Sequence, residues 1–255
     1  MDLSIGSLFT VAGKTAIVTG GSSGVGRMIA SALAANGART CIVGRKRAAL
    51  EAVASEIGCD FIVADLSLPD AIARLAGEIA AREAAIDILV NNAGTTWGAP
   101  FPAFPLEGFD KVFALNVRTP FLLTQALLPL LEAGASTKDF SRVINISSVG
   151  ARMVGEDGGS VAYGPSKAAV EQMTRVMARQ LGRHRITVNA IAPGWFPSRM
   201  NAPLGDQAAE DWISRTPAGR LGTARDMGGL ALFLCSPAGA YVSGQIIAID
   251  GGRSL

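Results

Sequence analysis

"TGGSSGVG", residues 19–26, sits between the apolar run "KTAIV" and the stretch "RMIASALAANG". The run before it reads as a buried strand. The stretch after it reads as an amphipathic helix through Ala35, stopped by Asn36-Gly37. Glycines at 20, 24 and 26 give G-x-x-x-G-x-G rather than the commoner G-x-G-x-x-G. Such a loop either cradles a phosphate on the N–H groups that open the helix or merely turns the chain. On the first reading the ligand meets Gly20, Ser22, Ser23, Gly24, Val25 and Gly26.

The same strand-then-helix alternation repeats down the chain. "TCIVG" precedes a helix near Arg47–Ile57, closed by Gly58, and "DFIVADL" precedes one near Pro69–Glu83. "IDILVNNAG" precedes a long helical stretch near Leu106–Leu131, and "RVINISS" a loop and a helix near Gly164–Leu181. "ITVNAIAPG" leads into an irregular segment with helical pieces to about Cys235, and "QIIAIDGG" reads as a last strand. The strand runs are apolar throughout rather than alternating, which is the pattern of strands covered on both faces. A single Rossmann-type, doubly wound α/β domain over residues 1–255 is expected, with a parallel sheet of about seven strands and helices on both sides.

Composition narrows the function classes. Hydrophobic residues make up 49% and charged residues 17%, which suits a large core and buried subunit faces. The net charge of +2 is too small to point to nucleic acid or a membrane surface. No apolar run reaches the ~18 residues of a membrane span. "MDLSIGSLF" lacks the basic start and apolar centre of a secretion signal. Cys41, Cys59 and Cys235 show no metal spacing, and an odd count argues against a disulfide framework. No metal and a reducing, cytoplasmic setting are expected. His184 is the only histidine and lies among basic residues, so acid–base work falls to Tyr, Lys, Asp, Glu or Cys.

Dinucleotide folds often end their second strand on an acid that bonds the adenine ribose. Here that place reads Gly44-Arg45-Lys46-Arg47. The three cations there either meet a 2′-phosphate, as in NADP, with the Ser22 and Ser23 hydroxyls as further donors to it, or form a solvated helix start. Further on, "YGPSK" sets Tyr163 and Lys167 four apart at a helix start, on one face. A tyrosine near pKa ~10 becomes a useful base only when a neighbouring ammonium, or the positive ring of an oxidised nicotinamide, favours its phenolate.

The motifs "TGGSSGVG", "NNAG", Asn116, Ser148, "YGPSK" and "PG" at 193–194 occur in one order. On these the chain resembles the short-chain dehydrogenase/reductase family over nearly its full length. The resemblance implies Tyr163 as proton donor in carbonyl reduction and Lys167 as the ribose ligand that lowers its pKa. It implies Ser148 as a donor to the substrate oxygen and Asn116 as holder of a water that refills the proton on Tyr163 through Lys167. Asp65 and Leu66 become adenine contacts; Asn92, Ala93 and Gly94 line the cofactor cleft. Pro193, Gly194, Phe196 and Ser198 join the cofactor site, with Ser198 where the family usually carries a threonine. Arg45, with Lys46 beside it, stands where NADP-preferring members carry arginine, so NADP(H) is the implied cofactor. Family members are usually tetramers, through helices near 106–131 and 164–181.

The substrate is expected to be a small ketone or alcohol. The segments 95–102, 150–161 and 195–220 carry Trp97, Phe101, Met153, Val154, Trp195, Phe196, Met200 and Trp212. They either line an apolar pocket, with Trp97, Met153 and Trp195 on the substrate, or pack the core. Arg152 or Arg199 either meets a carboxylate or carrier phosphate or stays in solvent. Locally the motifs look most like NADPH-dependent 3-oxoacyl reductases of the type linked to rhamnolipid pathways. A dehydrogenase of another secondary alcohol (cyclic, sugar-acid or polyol) and a dinucleotide-sensing regulator are the alternatives. Pro120, lacking an N–H, should open the helix near Asn116. The freed carbonyl then serves the water relay, or the proline simply kinks the helix.

Overall fold

The computed structural model describes residues 2–154, 160–198 and 205–255. Seven strands form one sheet: β1 (Thr15–Thr19), β2 (Arg39–Gly44), β3 (Asp60–Val63), β4 (Ile88–Asn91), β5 (Ser141–Ile146), β6 (Ile186–Pro193) and β7 (Ile246–Ile249). Their order is β3-β2-β1-β4-β5-β6-β7, and every pairing is parallel. The direction of winding reverses between β1 and β4. In such sheets a ligand binds in the crevice beyond the carboxyl ends of the strands at that reversal.

Every residue of β1, β4, β5 and β6 is buried, because helices cover both faces. Ala16 and Val18 of β1 enter one core with Ile29, Leu33, Met227 and Leu234. Ile17 enters the other with Ile79, Leu123, Leu131 and Met177. The alternation within β1 is the two-residue period of a strand splitting its side chains between two layers.

The helices are α1 (Ile5–Leu8), α2 (Gly24–Ala35), α3 (Arg47–Ile57), α4 (Pro69–Arg82), α5 (Leu106–Phe113), α6 (Thr119–Ala126), α7 (Leu128–Gly134), α8 (Tyr163–Leu181), α9 (Gly205–Ser214) and α10 (Ala224–Cys235). Gly58, at φ 67°, takes the left-handed conformation that ends α3.

The stretch expected as one long helix over 106–131 is instead three helices. Residues Ala114–Arg118 form a π-turn, in which the Thr119 N–H bonds the Ala114 carbonyl five residues back. Pro120 follows at once and cannot donate, so the ladder opens around Asn116 as its chemistry requires. A second break falls at Leu127, ahead of a proline in the first turn of α7.

Among the described residues no helix is long and apolar enough to cross a membrane. His184 sits in a short turn at the end of α8, with its ring against Glu132. The three cysteines are unpaired, and burial pushes their thiols up, to about 12 for Cys41 and Cys235 and about 11 for Cys59. Thiols held that high are packing groups, not nucleophiles.

Candidate active site

The crevice is built first by Thr19, the last residue of β1. Its Oγ1 accepts from the N–H groups of Asn92 (2.9 Å) and Ala93 (3.0 Å), clamping the end of β4 to the end of β1. The Asn92 amide returns a bond to the Thr19 carbonyl at 2.8 Å. This strap lies over the glycine loop. A methyl group on Gly20 or Gly26 would lie 2.6 or 2.3 Å from Asn92 Nδ2, so neither position admits a side chain. Gly24, at φ 53°, opens α2, and a methyl there would lie 3.0 Å from Cβ of Ser198. The loop after β6 therefore closes on the glycine loop from the far side. Ser23 caps α2 without a side-chain bond to it. The first N–H groups of α2 thus face a narrow, side-chain-free cleft, the arrangement that receives a phosphate. The sequence motifs did not single out Thr19, although a threonine ending the strand before a glycine loop was a signal that it could bridge to β4.

At the β2–β3 end Arg45 lies 3.9 Å from Asp65, with its side chain 63% exposed. Asp65 also accepts from Ser67 N and Oγ. Burial opposes ionisation of Asp65, but the Ser67 bonds, Arg45 and Lys111 together hold it below the usual carboxylate range. Arg47 turns away: its guanidinium stacks on Phe61, 5.7 Å from the ring centre, and meets Glu51. Of the three cations at this strand end, Arg45 is the one that lines the cavity there. Ser22 approaches the end of β2, since a methyl on Gly44 would lie 3.8 Å from its Oγ. A cavity of about 480 Å³ continues past Arg45 and Asp65 to Arg74 and Glu78 on α4. Arg74 escaped the motif reading because its helix position carries no cofactor signature. The Leu66 side chain is buried in the core, and its carbonyl accepts from Thr119 at 2.7 Å. Any ligand contact by Leu66 therefore falls to its N–H.

The reacting end is carried by β5 and α8. The Ser148 side chain stands close enough to the Tyr163 phenol to favour its ionised form. Ser148 Oγ also accepts from Gly150 N at 3.1 Å, which fixes one side of the hydroxyl and directs the other. Lys167 Nζ donates to the Ile146 carbonyl at 2.7 Å and stands 5.6 Å from the Tyr163 ring centre. Gly94 packs beside it, where a methyl would press on Asn116 Oδ1 at 3.1 Å.

Asn116 stands between the loop after β4 and α8. Its side chain is committed to structure: Oδ1 accepts from Thr95 N (2.8 Å), and Nδ2 donates to the Thr95 carbonyl (3.0 Å) and to Ser166 Oγ (2.9 Å). It ties the loop after β4 to α8, so only its backbone is available to a relay. Ser166 and Thr95 were not singled out from the sequence, because their partner lies far along the chain.

Burial pushes the Tyr163 phenol up, and the Ser148 side chain only partly opposes it. Lys167, expected to lower it, is not among the causes of the shift: its ammonium bonds the Ile146 carbonyl and stands 5.6 Å from the ring centre. Burial lowers Lys167 itself to about 8.

That value has a consequence for stability. A lysine whose folded pKa is depressed is carried as a costly ammonium below about pH 8, and the cost is relieved as pH rises from about 8 towards 10.5. The shift corresponds to roughly 3 kcal/mol, less about 1 kcal/mol for the Ile146 hydrogen bond lost on replacement. Lys167→Met is therefore expected to raise Tm at pH 7 by several degrees, with a gain that shrinks towards pH 10. A lower Tm at pH 7 would contradict this account.

The side chains expected on the substrate are dispersed. Trp97 packs over α5: a methyl on Gly108 would lie 2.7 Å from its ring, and Lys111 Nζ lies 5.2 Å from the ring centre. Trp195 pairs with Trp212 at 5.7 Å. Both line a cavity of about 250 Å³ with Phe196, Arg220 and Asp250, beside β7. The Phe196 ring is in the core over Gly222. Pro193 ends β6, and Gly194 passes so close to Asp250 that a methyl would lie 2.8 Å from its Cβ. Met153 is half-buried, whereas Phe101 and Val154 are exposed. Arg152 is paired with Glu171 rather than open to a substrate anion. Arg199 and Met200 lie outside the described residues.

Comparison with known proteins agrees with this geometry. A family model described as enoyl-(acyl carrier protein) reductase matches residues 20–254. The rhamnolipids biosynthesis 3-oxoacyl-[acyl-carrier-protein] reductase of Pseudomonas aeruginosa is 46% identical over 254 residues, covering 97% of this chain and 98% of that protein. Gluconate 5-dehydrogenase of Gluconobacter oxydans is 34% identical over 256 residues, covering 97% of each. Among solved structures, the Pseudomonas aeruginosa RhlG/NADP active-site complex superposes with a TM-score of 0.92 at 45% identity, covering 97% of this chain and 99% of that one.

Proposed function

Because the chain belongs to the short-chain dehydrogenase/reductase family, we propose that this oxidoreductase reduces the ketone of a 3-oxoacyl thioester with NADPH. The observation that carries the reading is the Ser148–Tyr163 hydroxyl pair beside a buried Lys167. Two hydroxyl donors converging on one point suit an oxygen that gains charge as its carbon is reduced. The acyl thioester comes from the relative that matches nearly the whole chain.

The crevice fits a dinucleotide by its own features: a cleft that admits no side chain at Gly20, Gly24 or Gly26, with a helix N-terminus behind it. Gly20, Ser22, Ser23, Gly24, Val25 and Gly26 hold the pyrophosphate; Arg45 and Lys46 take the 2′-phosphate. Asp65 and Leu66 meet the adenine. Asn92, Ala93 and Gly94 form one wall, and Pro193, Gly194, Phe196 and Ser198 the other. When bound, the dinucleotide supplies the hydride. Tyr163 gives the proton to the substrate oxygen, and its raised pKa keeps it protonated for that task at neutral pH. Ser148 donates to the same oxygen. Lys167 bonds the nicotinamide ribose, and the Asn116 backbone, opened by the π-turn, serves proton resupply. On the acyl side we keep Met153, half-buried at the end of the Ser148 turn; Trp97 and Trp195 are committed to α5 and to Trp212.

The test is NADPH oxidation against a panel of 3-oxoacyl thioesters, cyclic ketones and oxidised sugar acids. A thioester turned over with the highest kcat/KM is the expected result. Preference for a sugar acid would instead favour the chemistry named for the gluconate relative, and no turnover of any ketone would leave the sensor reading.

We place the protein in a reducing cytoplasm, which its unpaired cysteines suit, and read it as a single domain that assembles as a tetramer. Leu106, Phe109, Phe121 and Val176 stand exposed on α5, α6 and α8, where a partner's helices would cover them. Light scattering at micromolar concentration should give four times the chain mass; a monomer would contradict the assembly.

A further inference from the structure

Glu171 is a carboxylate where the reaction uses none. It lies on α8, one turn beyond Lys167, and only 6% of it is exposed. A carboxylate that deep is tolerated when both its oxygens are paired. Here Oε1 accepts from Ser147 Oγ at 3.1 Å, and Oε2 accepts from Arg152 Nε at 3.2 Å. The two donors come from the two ends of one short segment. Between them lie Ser148 and the 3₁₀ turn Val149–Ala151.

We propose that Glu171 is a positioning residue: with Ser147 and Arg152 it clamps the Ser148 turn to the helix that carries Tyr163 and Lys167. The proposal rests on the reading of Ser148 as the donor to the substrate oxygen. A 3₁₀ turn of this length is weak on its own. It is held internally by only a few bonds, among them Ala151 N to the Ser148 carbonyl (3.0 Å) and Arg152 N to the Val149 carbonyl (2.9 Å). Ser148 Oγ is tied to Gly150 N inside that turn, so wherever the turn goes the hydroxyl goes. The clamp gives the turn a fixed place on α8. The one proton of the Ser147 hydroxyl is shared between Glu171 and the Lys167 carbonyl at 3.3 Å, both on α8, and Arg152 Nη2 reaches the Ile246 carbonyl of β7 at 3.5 Å. Proton donor, lysine and clamp then ride on one rigid helix, and the distance from Ser148 to Tyr163 no longer depends on a loop. A donor misplaced by about 1 Å is enough to lose much of its effect on rate.

The experiment compares variants of the full-length enzyme with NADPH and the best substrate of the panel. Wild-type turnover, measured first, tests the functional reading; the ratios that follow test the clamp. Glu171→Ala is expected to lower kcat about tenfold, with the Kd for NADPH within about twofold. In a Ser148→Ala background the same change should cost less than about twofold, since the group it positions is gone. Arg152 is on the surface, so its variants guard against misfolding of the buried site. Arg152→Ala should lower kcat about fivefold, and Arg152→Lys should return it to within about twofold of wild type. Wild-type kcat in both Glu171→Ala and Arg152→Ala would overturn the proposal. So would an equal tenfold loss with and without Ser148, which would show that Glu171 acts elsewhere.

Discussion

Tyr163→Phe is expected to lower kcat for ketone reduction by about a thousandfold, within the range attributed to a positioned general acid. Burial raises the pKa of the phenol, so it is protonated at neutral pH, and the Ser148 side chain stands against it. Phenylalanine keeps the ring and its contact with Lys167 but has nothing to donate. The NADPH affinity should stay within about threefold of wild type, because Lys167, Arg45 and the glycine loop are untouched. Fluorescence titration of NADPH alongside single-turnover kinetics separates the two quantities. If the variant kept more than a tenth of wild-type kcat, another group would have to be the acid.

The second large effect concerns Arg45. The wild type should prefer NADPH over NADH by at least about tenfold in kcat/KM, or ~1.4 kcal/mol. Arg45→Asp should reverse that preference and move the ratio by about a hundredfold or more. The side chain stands at the end of β2, 63% exposed and 3.9 Å from Asp65. An aspartate there sets two carboxylates side by side where a 2′-phosphate would arrive. The same carboxylate can accept hydrogen bonds from the free ribose hydroxyls of NADH. Because the guanidinium is solvated, the wild-type preference should weaken as salt is raised. Lys46 keeps part of the attraction in the variant, whereas Arg47 does not, being stacked on Phe61. Equal kcat/KM for the two cofactors in the wild type would refute the assignment.

Much of the architecture is legible in the residue order. Apolar runs that do not alternate announce strands covered on both sides, and the sheet is parallel throughout. Gly58 closes α3 as its place after the helical run implies. Pro120 opens the helix at Asn116 because a missing N–H is a property of the residue, not of its surroundings. The less legible boundary was 106–131, where helical periodicity continues across a π-turn and a second break. A π-turn adds one residue to the loop between hydrogen bonds without altering the apolar pattern enough to be seen.

By itself, then, the sequence determined what repeats locally: strand and helix periods, the glycine loop at a helix start, and Tyr163 and Lys167 on one helix face. These follow from backbone geometry over a few residues, so they can be read in order along the chain. Only the tertiary structure decided partners. It committed the Asn116 side chain to Thr95 and Ser166, turned the Lys167 ammonium to Ile146, and laid Trp97 on α5. It joined Ser147 and Arg152 through Glu171. Each of these pairings depends on sheet register and on how far one helix is rotated against another. Long-range packing sets those two quantities, and no window of a few residues contains them.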